Sequence, residues 1–140
     1  MTFEEVDKLI KDGDTISLRE ALDNGLNPNL SNRFSWTILM CAALKGNVVI
    51  GRMLIERGAE LNARNMHRDT PLSLAIQFGH APFVDLLLKN NATRDCHPHG
   101  NSLAIFLEWA EKYCACSTAN MTKIRALLDQ ANLAEGESSF

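Results

Sequence analysis

No stretch of about 18 consecutive apolar residues occurs in this chain, so the sequence predicts no membrane-spanning segment. A charge excess of either sign is also missing. Fourteen Lys and Arg stand against 17 Asp and Glu, a formal net charge of −3. Phosphate binding needs clustered cations, so this balance argues against nucleic acid as the main partner. Met1-Thr2-Phe3-Glu4-Glu5 is acidic and patterned as a helix, which is not how a secretory signal begins. The four cysteines therefore read as reduced thiols of a cytoplasmic protein. There is no Gly-rich phosphate loop, no Gly-x-Ser-x-Gly elbow and no His-Glu-x-x-His zinc helix. No catalytic residue and no cofactor are expected. At 140 residues, 46% of them hydrophobic, the chain suits one compact domain and cannot comfortably hold two.

One constellation resembles a metal site: Cys96-His97-Pro98-His99 together with Cys114-Ala115-Cys116. Thiolates and imidazoles suit zinc in tetrahedral geometry. A helix starting near Ser102 separates the two halves by on the order of 18 Å, at about 1.5 Å per residue. One ion cannot bridge that, so no metal is expected. Cys41 falls at a buried helix position and reads as a small apolar filler.

What the chain does contain is a period. Gly79, Gly46 and Gly13 keep one spacing, and so do Asn91, Gly58 and Gly25, and Asp95, Asn62 and Asn29. The first column suits a turn between two helices. The second suits the end of the second helix, where a left-handed residue is needed. In the third, an Asp or Asn can hydrogen-bond its own backbone in a turn. Around these columns, Thr70-Pro71-Leu72 with Ala75 opens one short helix. Phe83, Val84, Leu86, Leu87 and Leu88 drive a second, and Thr37 to Ala43 repeats the opening. Val49, Ile50, Met53, Leu54 and Ile55 are expected to face the core, and small Ala42, Ala43 and Ala75 to let neighbouring helices approach.

These residues resemble the ankyrin repeat, whose signature is Thr-Pro-Leu-His-x-Ala at a period of about 33 residues. Ser73 stands in place of the usual His, and Asn91 in place of the usual Gly. The resemblance implies an all-α solenoid of stacked antiparallel helix pairs with β-turn fingers. Four units are expected within a single domain over 1–140: about 2–31, 32–64, 65–96 and 97–131, with 132–140 a frayed tail. Thr2 with Glu5 forms the capping box of the first helix. The last unit has a long first helix to about Tyr113, a loop at Cys116 to Asn120 and a final helix from Thr122 to Gln130. His80 should satisfy neighbouring backbone groups at its turn.

The resemblance further implies a non-catalytic module that binds a protein or peptide through its fingertips and concave helix face. Registered by Thr37 and Thr70, one unit presents Arg33, Phe34, Trp36, Leu44 and Lys45, and the next Met66, His67, Asp69, Gln77 and Phe78. Trp109 falls on the same side in the last unit. Trp36 and Phe78 are the expected anchors, since aromatics with flanking Arg concentrate binding energy. A monomer is expected, with no membrane partner. The alternative is an accessory or regulatory subunit with a thiol or redox role at Cys114 and Cys116. Leu54, Glu60, Leu61, Asn62 and Ala63 also look like the context in which ankyrin asparagines are hydroxylated, so Asn62 either is modified or simply pins its turn.

Overall fold

A computed structural model describes residues 1–93, 103–114 and 118–138. They form eight helices: α1 Phe3–Asp12, α2 Thr15–Asp23, α3 Ile38–Lys45, α4 Val48–Glu56, α5 Pro71–Gln77, α6 Ala81–Lys89, α7 Leu103–Tyr113 and α8 Thr118–Ser138. No strand is present among the described residues, only an isolated bridge between Ser31 and Thr37. Two rows of helices stack. The inner row runs α1, α3, α5, α7, and the outer row α2, α4, α6, α8. Each helix touches its row neighbours, and in the first three pairs each inner helix also packs on its outer partner.

The helices start where side chains satisfy the first free backbone N–H groups. Thr2 Oγ1 accepts from Glu5 N, and Glu5 Oε2 accepts from Thr2 N. Thr37 Oγ1 accepts from Met40 N. At α5 the exchange is reciprocal: Ser73 N donates to Thr70 Oγ1 at 3.1 Å, and Thr70 N to Ser73 Oγ at 2.8 Å. Ser73 is wholly buried, so its hydroxyl closes a cap that would otherwise leave the Thr70 N–H unpaired.

Two periodic columns set the helix ends. Gly13, Gly46 and Gly79 sit at φ 69°, 72° and 71°, between inner and outer helices. Gly25, Gly58 and Asn91 end the outer helices at φ 98°, 91° and 66°. Asn is tolerated at the third because its short side chain fits left-handed backbone. Gly46 is required for a second reason. A Cβ there would lie 2.4 Å from Nδ1 of His80, whose ring covers the turn. His80 Nε2 lies 2.9 Å from the Leu44 carbonyl. A carbonyl can only accept, so Nε2 carries the proton. His80 thus ties the third turn to the preceding inner helix, as its sequence position predicts, and makes no cap of its own.

The third column differs from the sequence expectation. Asn29 Oδ1 accepts from Glu60 N at 2.7 Å, and Asn62 Oδ1 from Thr93 N at 2.9 Å. Neither bond lies within its own turn. Each joins one outer loop to the next, because stacked loops bring the following unit's N–H within reach. Val49 also departs from expectation. It occupies the first turn of α4, is 55% exposed and points away from the core, as Ile16 does in α2.

The core runs the length of the stack. Leu18, Ile38, Leu39, Ile50, Leu54, Leu72, Ile76, Phe83 and Leu87 are essentially sealed from solvent. Gly51 lets α6 come close, since a Cβ there would lie 2.6 Å from the Phe83 ring. The last pair is built differently from the sequence expectation. α8 begins at Thr118 rather than Thr122, and its fully docked Met121 explains the added turn. It also continues to Ser138, through Ala131, Leu133, Ala134 and Glu135, all good helix formers, where a frayed tail was expected from residue 132. Arg125 joins it to α7 by two bonds to the Glu111 carboxylate, at 3.0 and 2.9 Å, which hold that carboxyl below its usual range.

Candidate functional site

The fingers precede α3 and α5, and each is organised by one asparagine. Asn32 Oδ1 accepts from Phe34 N at 2.9 Å and from Trp36 N at 3.0 Å. Asn65 Oδ1 accepts from His67 N at 2.9 Å and from Asp69 N at 3.0 Å. Asn32 N donates to Trp36 O, and Asn65 N to Asp69 O, which closes each loop. At the tips, Ser35 and Arg68 take left-handed backbone, φ 62° and 65°. Arg64 Nη1 braces the second tip by donating to Arg68 O at 3.0 Å. Asn32 and Asn65 stand 33 residues apart, as do Ser35 and Arg68. That spacing was a readable signal, and sequence reasoning passed over it.

The two fingers lie side by side, since Met66 N donates to Phe34 O at 3.0 Å. A second tie runs from finger to inner helix. Gln77 Nε2 donates to Asp69 Oδ1 at 2.8 Å, and Ser73 Oγ donates to the same oxygen at 3.1 Å. The C-terminal end of α5 is thereby fixed beside its finger. Lys45 and Phe78 share one register position, eight residues after Thr37 and Thr70, on the neighbouring helices α3 and α5. The C-terminal half of α7 matches α5 in burial when Trp109 is set against Phe78, while Ala104 and Ile105 are exposed where Ser73 and Leu74 are buried. Phe106, Leu107 and Ala110 are buried, as are Ala75, Ile76 and Gly79.

Four large apolar side chains are exposed along this side: Phe34 (45%), Met66 (67%), Phe78 (52%) and Trp109 (45%). Arg33, Lys45 and His67 are exposed with them. The Arg33 guanidinium sits 4.8 Å above the Phe34 ring, which holds both side chains in a shared orientation. Trp109 stacks on Phe106 at 6.1 Å between ring centres and meets Tyr113 at 6.2 Å.

Three expected contact residues are less exposed than Phe34, Met66 and Phe78. Trp36 is half-buried and packs on the core, because the Asn32 bond to its own N–H turns the chain inward after the tip. Asp69 and Gln77 are half-buried and bond to each other, so their polar groups already serve the finger. Asn62 is exposed, with its Oδ1 occupied by Thr93 N.

Cys41 is a free, buried thiol, and Cys114 is half-buried. Burial, with the Asp7 carboxylate beside it, pushes the Cys41 thiol up to about 12. Its folded value lies above the ordinary one, so it stays protonated through neutral and mildly alkaline pH. A maleimide or iodoacetamide time course at pH 8 should therefore label Cys41 at least about tenfold more slowly in native protein than in urea-unfolded protein. Equal rates would show that Cys41 is not enclosed. Cys96, His97, His99 and Cys116 lie outside the described residues. Among the described residues, no three His, Cys, Asp or Glu side chains gather to hold a metal. No helix among them is long and apolar enough to cross a membrane.

A family model for ankyrin repeats, in three copies, matches residues 8–98. The chain belongs to the ankyrin repeat family. It is 39% identical over 84 residues to the ankyrin repeat and KH domain-containing protein mask of Drosophila melanogaster, which covers 58% of the chain and 2% of that protein. It is 44% identical over 52 residues to the rabbit (Oryctolagus cuniculus) ankyrin repeat, SAM and basic leucine zipper domain-containing protein 1, covering 37% of the chain and 11% of that protein. An ankyrin repeat protein of fowlpox virus (strain NVSL) is 32% identical over 132 residues, 94% of the chain and 29% of the relative. The ankyrin chain thus spans less than a third of each of these relatives. Ankyrin repeats are generally protein–protein interaction modules, and the family is typically non-enzymatic.

Proposed function

We propose that this ankyrin chain is a non-catalytic binding module that holds a protein or peptide against its fingers and the exposed ends of its inner helices. The observation that carries this reading is the gathering of Phe34, Met66 and Phe78 on one side, held there by the Met66–Phe34 and Gln77–Asp69 bonds. Exposed apolar side chains that the fold fixes in place cost little entropy to bury against a partner. Arg33, Lys45 and His67 frame them, with Trp109 at the far end and Trp36, Asp69 and Gln77 as the scaffold beneath. The chain acts as a single copy, and its free thiol at Cys41 fits a reducing compartment such as the cytosol.

The test is capture of the native partner from source-cell extract by wild type and by the double variant Phe34→Ala/Phe78→Ala. Both rings are exposed, so the melting curve should hardly move. Each truncation should cost roughly 2 kcal/mol of binding, about a thousandfold in Kd together if the two add. Undiminished capture by the folded double variant would sink the reading.

A further inference from the structure

The charges on this face differ from those of the chain as a whole. Residues 31–45 and 64–78 contain the fingers and inner helices of the two middle pairs. They carry four cations, Arg33, Lys45, Arg64 and Arg68, against one carboxylate, Asp69. The rest of the chain carries 10 Lys and Arg against 16 Asp and Glu. The single carboxylate is occupied, since Asp69 Oδ1 accepts from both Ser73 and Gln77. Elsewhere four cations are paired, Lys11 with Asp7, Arg57 with Asp23, Lys89 with Asp85 and Arg125 with Glu111, while others such as Arg19 and Arg52 are dispersed over the outer helices among a majority of carboxylates. Among the described residues, Arg33, Lys45 and Arg68 have no such partner, and all three are exposed. Next to this positive zone in the inner row stands α1, with exposed Glu4, Glu5 and Asp12.

From this we infer that the partner of the face is an acidic segment of another protein carrying large apolar side chains. The inference rests on the binding face proposed above and names its ligand. Phe34, Met66 and Phe78 supply the apolar contact, and carboxylates of the partner meet Arg33, Lys45 and Arg68. Opposite charge placed this way speeds encounter and rejects basic segments. A single-stranded nucleic acid also pairs anions with stacking bases. Its uninterrupted phosphates, however, would run from the positive zone onto the carboxylates of α1, whereas a short acidic segment need not extend so far.

The test is selection of a random 12-residue peptide display library on the full chain at 50 mM NaCl. Enriched peptides are then synthesised with a fluorescent label and titrated by anisotropy. Enriched sequences should have net negative charge and contain Leu, Ile, Phe or Trp. Arg33→Glu/Arg68→Glu should weaken them by about tenfold or more, and 300 mM NaCl by about threefold. Arg33→Gln/Arg68→Gln should weaken them in the same direction and guards against misfolding of the reversed variant. Arg19→Glu/Arg52→Glu, on the outer helices, should leave Kd unchanged. Neutral or basic peptides that still depend on Phe34 and Phe78 would overturn the acidic partner and leave the face standing. Peptides indifferent to Phe34→Ala/Phe78→Ala, or no enrichment, would overturn both. Displacement of the acidic peptides by a 12-nucleotide oligouridylate at lower concentration than by unlabelled peptide would overturn the protein partner in favour of nucleic acid.

Discussion

Leu87→Ala should lower the unfolding free energy by about 2–5 kcal/mol. Leu87 is fully buried on α6, an interior helix of the outer row with neighbours on three sides. α4 lies on one side, α8 on the other and α5 behind. Truncation removes a transfer contribution and leaves a cavity that three helices would have to move together to close. In a stack, each pair is stable chiefly through its neighbours. A cavity in the middle of the outer row therefore weakens the interfaces on both sides. Ile16→Ala, an equal kind of truncation on an exposed outer position, should stay within about 0.5 kcal/mol. Urea unfolding followed by circular dichroism measures both. A Leu87→Ala loss below about 1 kcal/mol would contradict the packing described for α6.

Much of the stack was legible because it repeats. The Gly13, Gly46 and Gly79 column, the Gly25, Gly58 and Asn91 column and the capping threonines each answer a local backbone demand. Local demands leave local residues, so spacing exposes them. The corrections concern contacts between units. Asn29 and Asn62 occupy positions that suit a turn, yet their side chains bond to the next unit's backbone 31 residues on. Residue type tells that an Asn will find an N–H but not which loop supplies it. α8 is the other case. Its early start follows from how Met121 docks, and no repeat of the motif exists there to reveal it.

The candidate site was half legible for the same reason. Counting from Thr37 and Thr70 finds Phe34, Met66 and Phe78, which the structure leaves exposed. It also places Trp36 among them, and that side chain is half-buried against the core. A fingertip register says how far a residue lies from the helix, not which way the chain turns after the tip. That direction is set by Asn32 and by left-handed Ser35, which send Trp36 back to the core.

Trp36→Ala should consequently act on stability before it acts on binding. A fully buried Trp costs about 3–5 kcal/mol when truncated, and a half-buried one should cost about 2 kcal/mol. The Asn32 bonds engage the Trp36 backbone, so they survive the substitution and the loss is one of side-chain packing. Phe78→Ala sets the contrast. The ring is 52% exposed at the end of α5, and its removal should shift stability by less than about 0.5 kcal/mol. The pair of variants therefore separates scaffold from contact surface on adjacent units. Urea unfolding of each, with partner binding measured well below both transitions, reads the two effects apart. Trp36→Ala with wild-type stability and lost binding would return this side chain to the contact surface and contradict its packing on the core.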